Sequence, residues 1–182
     1  MTPQNGRCAL LLRAVNVSGR NRVPMAELRS LLSERGVLTG VSTYIASGNV
    51  IAETPADPGR ACIEVRALIE EAFGVDTPVV LRTHDQLVAA LEANPFSDAL
   101  VDKLLHLMFL AGPSQEGAID SLTPRLVPGE RIALRGQDLW IDYSEGGVHS
   151  TKLTTAVFDR ALGVAGTARN LRTVRKLVEL TA

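Results

Sequence analysis

The sequence predicts an α+β protein of two ferredoxin-like (βαββαβ) halves, the second degenerate and carrying an extra C-terminal helix. Three observations lead there. Apolar runs of strand length alternate with segments whose apolar residues recur at helical spacing. In the first half their order is β-α-β-β-α-β, that of an antiparallel sheet with two helices on one face. Beyond residue 94 much of that order returns. A chain of 182 residues suits one domain or two small fused halves. We expect halves over residues 1–93 and 94–182 within one compact molecule, with 94–103 as the linker.

The first strand spans Arg7 to Val15, nearly all apolar, as an interior strand covered on both faces requires. A polar turn, Asn16 to Asn21, precedes a helix with Pro24 in its first turn and Met25, Leu28, Leu31 and Leu32 at helical spacing; Gly36 stops it. Thr43–Ile45 and Val50–Ala52 read as strands joined by the turn Ala46-Ser47-Gly48-Asn49, because Gly and Asn tolerate positive φ. Cys62, Val65, Leu68, Ile69 and Phe73 mark a helix ended by Gly74, and Pro78–Arg82 is the next strand. Thr83-His84-Asp85-Gln86 has the pattern of a capping box that opens a short helix. The second half reads as a strand over Leu105–Ala111, a helix over Gln115–Leu122, and strands over Arg131–Leu134 and Leu139–Tyr143 around Gly136-Gln137. A helix over Thr151–Leu162 follows. Thr167 then caps a last helix that stands where a fourth strand would be.

Composition excludes several classes. No apolar run reaches the roughly 18 residues of a membrane span, and the opening Met1–Arg7 lacks the apolar core of an export signal. Cys8 and Cys62 read as small buried hydrophobes rather than a disulfide framework. Together these features make the cytoplasm the expected location. His84, His106 and His149 pair with no cysteine at zinc-ligand spacing. His106 reads as a core residue and Trp140 as one packed on a sheet face, with base stacking as the alternative for the tryptophan.

The formal net charge of -1 conceals a segregation. Residues 1–26 carry +4, residues 27–145 carry -9 and residues 146–182 carry +4. Such a distribution allows a local basic patch that attracts anions over a Debye length of roughly 8 Å. Arg13, Asn16, Arg20 and Asn21 crowd one strand-to-helix turn. Ser47 and Asn49 lie in the strand-to-strand turn further on. Ser150 and Lys152 are expected to open one helix, and Arg169, Asn170 and Arg172 another, where free N–H groups favour anions. These eleven residues are the candidate ligand-binding set. The competing reading pairs the arginines with the acidic middle and leaves the Asn and Ser residues to shape turns and caps. No phosphate-binding P-loop, G-x-G-x-x-G or G-x-S-x-G motif occurs.

Five segments carry a family resemblance. They are Leu12-Arg13-Ala14-Val15-Asn16-Val17-Ser18-Gly19-Arg20-Asn21-Arg22-Val23-Pro24-Met25, Tyr44-Ile45-Ala46-Ser47-Gly48-Asn49-Val50, Asn94-Pro95-Phe96, Lys152-Leu153-Thr154 and Thr167-Ala168-Arg169-Asn170-Leu171-Arg172-Thr173-Val174. In that order they resemble the bacterial domain of unknown function 1697. The resemblance implies two ferredoxin-like halves and no established activity. This chain departs from the family at Ala14 and Ser18, where glycine is usual, at Ala46 for glutamine, and at Leu171 for tryptophan. Thr151-Lys152-Leu153 stands where the family often reads Ser-Lys-Leu, so either Ser150 or Thr151 supplies the hydroxyl.

The expected activity is binding of a phosphate-bearing anionic ligand, a nucleotide or similar small molecule. The first alternative is an enzyme acting on a nucleotide or phosphoester, with Lys152 and the arginines stabilising charge. Asp159 and Glu27 are then the nearest candidate bases. The second is a nucleic-acid-binding or protein-interaction module. The sequence assigns no cofactor, metal or catalytic residue, and no membrane partner.

Overall fold

The structure, a computed structural model, describes residues 6–143 and 146–182. The opening residues 1–5, part of the segment read for an export signal, lie outside the described residues. The described chain is α+β, with two four-stranded antiparallel sheets and six α-helices. The elements are β1 (Arg7–Leu12), α1 (Met25–Glu34), β2 (Ser42–Tyr44), β3 (Asn49–Glu53), α2 (Pro58–Phe73), β4 (Val79–Thr83) and α3 (His84–Glu92). Then come β5 (Leu105–Leu110), α4 (Ala118–Leu122), β6 (Arg131–Arg135), β7 (Asp138–Asp142), α5 (Thr155–Leu162), β8 (Gly166–Asn170) and α6 (Leu171–Thr181). A short 3-10 turn, Thr123–Arg125, extends α4.

The strand orders are β2-β3-β1-β4 and β6-β7-β5-β8, so each sheet places its strands in the same sequence. The chain divides into two compact units, residues 1–87 with 177–182, and residues 88–176.

In the first unit β1 is central and pairs with β3 and β4. Its alternate residues Cys8, Leu10 and Leu12 join Val50 and Ala52 beneath α1 and α2, which contribute Leu28, Leu32, Val65, Leu68 and Ile69. The helix starts follow local chemistry. Pro58 takes the first position of α2, and the Asp57 carboxylate accepts the Arg60 N–H at 2.9 Å. The capping box before α3 forms as expected. Thr83 Oγ1 accepts the Gln86 N–H at 3.3 Å, and Gln86 Oε1 accepts the Thr83 N–H at 3.0 Å. The first strand ends at Leu12, not Val15, because Ala14 and Asn16 adopt positive φ and break the ladder.

The second unit follows the same plan around β5, with Met108, Leu110, Leu139 and Ile141 packed beneath Ala118 and Leu122 of α4 and Phe158, Ala161 and Leu162 of α5. Three expectations are corrected here. The helix expected from Gln115 begins at Ala118, since Gly117 sits at φ 73, outside helical space. The helix expected from Thr151 begins at Thr155, capped by Thr154 Oγ1 on the Val157 N–H. The second half, expected to be degenerate, is complete in element order, because Gly166–Asn170 forms a fourth strand paired with β5 and the last helix starts only at Leu171. Thr167 is therefore a buried strand residue rather than a cap. Among the described residues, no helix is long and apolar enough to cross a membrane.

Candidate functional site

In the first unit the candidate residues gather on two loops that hydrogen-bond to each other. Where β1 ends, Thr77 Oγ1 donates to the Arg13 carbonyl at 2.7 Å and accepts the Arg13 N–H at 3.1 Å, fixing that backbone. Beyond it the chain makes a closed turn. The Asn16 N–H reaches the Asn21 carbonyl at 3.0 Å, and the Arg20 N–H reaches the Val17 carbonyl at 2.9 Å. Ala14, Asn16, Ser18 and Asn21 all have φ between 49 and 56°. For Ala and Ser this region is unfavourable, and glycine adopts it freely. Glycine at position 14 or 18 would hold this backbone without that cost.

The Asn16 amide ties the two loops. Its Nδ2 donates to the Val23 carbonyl at 2.9 Å and to the Ala46 carbonyl at 2.8 Å, while Oδ1 accepts the Val23 N–H at 2.9 Å. Asn21 Nδ2 donates to the Ala14 carbonyl. In the second loop the buried Asn49 donates to the Tyr44 carbonyl and to Ser47 Oγ. Gly48, at φ 86, lies against Leu12 and Val15; a Cβ there would meet Val15 Cγ2 at 2.6 Å. The asparagines therefore position backbone. Ser47, Arg20 and the adjacent Arg22 are exposed.

In the second unit, Ser150 and Lys152 are exposed residues of the turn that precedes α5. The expectation that they open a helix is corrected by the Thr154 cap described above. Arg169, Asn170 and Arg172 lie where β8 passes into α6. Asn170 Oδ1 accepts the Thr173 N–H at 3.0 Å and starts the helix. Arg172 is exposed. Arg169 is buried, with Nη1 donating to Thr167 Oγ1 and to the Ala168 carbonyl, both at 2.8 Å. Burial lowers its pKa to about 10, which leaves it charged at neutral pH.

Sequence reasoning overlooked a counterpart of Arg169. Arg82 of β4 is also buried, and its Nη1 donates to the carbonyl of the preceding Leu81 at 3.1 Å. Arg82 stands opposite Ala9 of β1, and Arg169 stands opposite Leu107 of β5. The next residue in each strand, Thr83 or Asn170, caps the helix that follows. Thr77 was also overlooked. Only the shared register and the backbone contacts expose these roles.

The charge inventory separates the two readings of the arginines. Arg35 pairs with Glu71, Arg60 with Glu64, Arg66 with Asp76, and Arg131 with Asp98 and Asp142. One terminal arginine follows them, since Arg175 pairs with Asp102. Arg20, Arg22, Lys152 and Arg172 have no acidic partner among the described residues.

Other chemistry is limited. Burial raises the Cys8 thiol to about 11 and pushes the Cys62 thiol up as well, so neither favours a thiolate. Among the described residues no three His, Cys, Asp or Glu side chains cluster to hold a metal. His106 packs edge-on to Tyr143 with ring centroids 5.0 Å apart. Trp140 is fully buried, which removes base stacking as its role.

Comparison with known proteins adds three findings. The family model described as Protein of unknown function (DUF1697) matches residues 6–140. No curated protein matches the chain. The solved structure of the conserved bacterial protein SP0830 from Streptococcus pneumoniae is similar, with 25% sequence identity and a TM-score of 0.71 over 97% of this chain and 99% of that one.

Proposed function

This chain belongs to the DUF1697 family of proteins of unknown function, and on that premise we propose that it binds a phosphate-bearing anionic ligand, a nucleotide or similar small molecule, on two ferredoxin-like halves. The repeated element order and the shared strand order support the ferredoxin-like reading. One observation carries the binding reading. Arg20 and Arg22 stand exposed, without acidic partners among the described residues, on a loop that Asn16 and Asn21 hold in a fixed, otherwise unfavourable backbone. A fixed loop presents its guanidinium groups with little further loss of conformational freedom on binding. Each planar fork suits a phosphate. Arg13, Asn16, Asn21, Ser47 and Asn49 complete the first-unit set as the frame around those two charges.

In the second unit the same reading gives the phosphate contacts to Lys152 and Arg172, with Ser150 and Asn170 beside them in sequence and Arg169 as a buried positive charge. We infer a cytoplasmic setting from the two free thiols. The test is a thermal-shift and calorimetric titration with adenosine mono-, di- and triphosphate. We expect a raised melting temperature through mass action. Arg20→Gln and Arg22→Gln should each weaken binding by about tenfold, the loss of one charge-assisted hydrogen bond of roughly 1.5 kcal/mol, with the ligand-free melting temperature unchanged. Unchanged affinity in both variants removes the reading. Binding to single-stranded oligonucleotides alone, steeply weakened by salt, replaces it with a nucleic-acid partner.

A further inference from the structure

We propose that the second unit carries a separate site for a small phosphomonoester, in the groove between α4 and α5. The groove is a cavity of about 240 Å³ lined by Ser121, Arg125, Ala156, Val157, Arg160 and Ala161. It goes beyond the ligand set proposed above, with which it shares no residue.

The sequence builds this groove through spacing. Residues four apart share a helix face. Ala156 and Arg160 are four apart on α5, and Ser121 of α4 lines the groove with Arg125 of its 3-10 extension. Each side of the groove therefore offers a small residue followed by an arginine. The helices are joined by Ala118, Leu122, Phe158, Ala161 and Leu162 in the core. The small Ser121 and Ala156 leave the space that the longer side chains rim.

The charge pattern selects the ligand. Neither Arg125 nor Arg160 has an acidic partner among the described residues, although five arginines elsewhere do. Asp120 and Asp159 adjoin the lining residues in sequence but do not line the cavity. Two guanidinium groups around one cavity repel each other until an anion sits between them. A hydroxyl at Ser121 adds a donor, and Ala156, Val157 and Ala161 supply an aliphatic wall. A cavity of about 240 Å³ has room for a phosphate with a short aliphatic body.

The probe is n-butyl phosphate, followed by amide chemical shifts of the full chain at constant ionic strength. We expect saturable shifts confined to residues 118–125 and 155–162. Arg125→Gln and Arg160→Gln should each weaken the response by about tenfold, and both exposed changes should leave the melting temperature unmoved. Arg20→Gln with Arg22→Gln should leave this response intact, which separates the groove from the nucleotide reading. The proposal is overturned if the shifts are absent or do not saturate, if either arginine variant binds as the parent does, or if n-butanol produces the same shifts as its phosphate ester.

Discussion

Asn16 makes three hydrogen bonds with one amide while its own backbone stands at φ 56°. Asn tolerates that region better than most residues because its short polar side chain bonds locally. Replacing it with alanine removes all three bonds and the tie to the Ala46 carbonyl. At about 1 kcal/mol for each bond, Asn16→Ala should cost about 3 kcal/mol in urea denaturation. Amide exchange in the 14–22 loop should quicken more than in β1. The sequence identified this residue as special, but for a ligand role. An Asn in a polar turn looks the same whether its amide faces a ligand or a carbonyl 30 residues away. Arg13 shows the same limit from the other side, since its anchor, Thr77, lies 64 residues on.

Among the elements, those defined by local chemistry were legible. The capping box at Thr83 and Gln86 needs only residues three apart, and it forms as the pattern requires. Thr83→Ala should cost about 1 kcal/mol in denaturation midpoint and expose the first turn of α3 to faster exchange. Gln86→Glu, which keeps the reciprocal acceptor, should stay within about 0.5 kcal/mol. Strand β8 was not legible. Gly166-Thr167-Ala168-Arg169-Asn170 has too few apolar residues to announce a strand, and Thr167 resembles a cap. Its five pairings with β5, from His106↔Asn170 to Leu110↔Gly166, are long-range and decide the matter. Burial of a charged Arg169 in that strand disguised it further.

For the whole molecule, pH is the direct probe. His106 is the histidine whose burial lowers its pKa, below the usual 6.5. The folded form thus resists a proton that the unfolded chain accepts. Between the two pKa values the unfolded state binds more protons, so stability rises with pH there. Unfolding free energy should be level above about pH 6.5 as far as this group is concerned and fall as the pH drops below it. His106→Gln should flatten that slope in denaturation series at pH 7.5 and pH 5. The charge blocks of the whole chain were countable from the sequence, but not which cations remain without acidic partners. That depends on geometry, since Arg175 finds Asp102 whereas Arg172, three residues earlier, finds none among the described residues. Residues 177–182 belong with residues 1–87, where Thr181 Oγ1 meets His84 Nδ1 at 3.1 Å. During synthesis, residues 88–176 therefore leave the ribosome before the first unit has its final segment. The half of the chain made first is the half that is completed last.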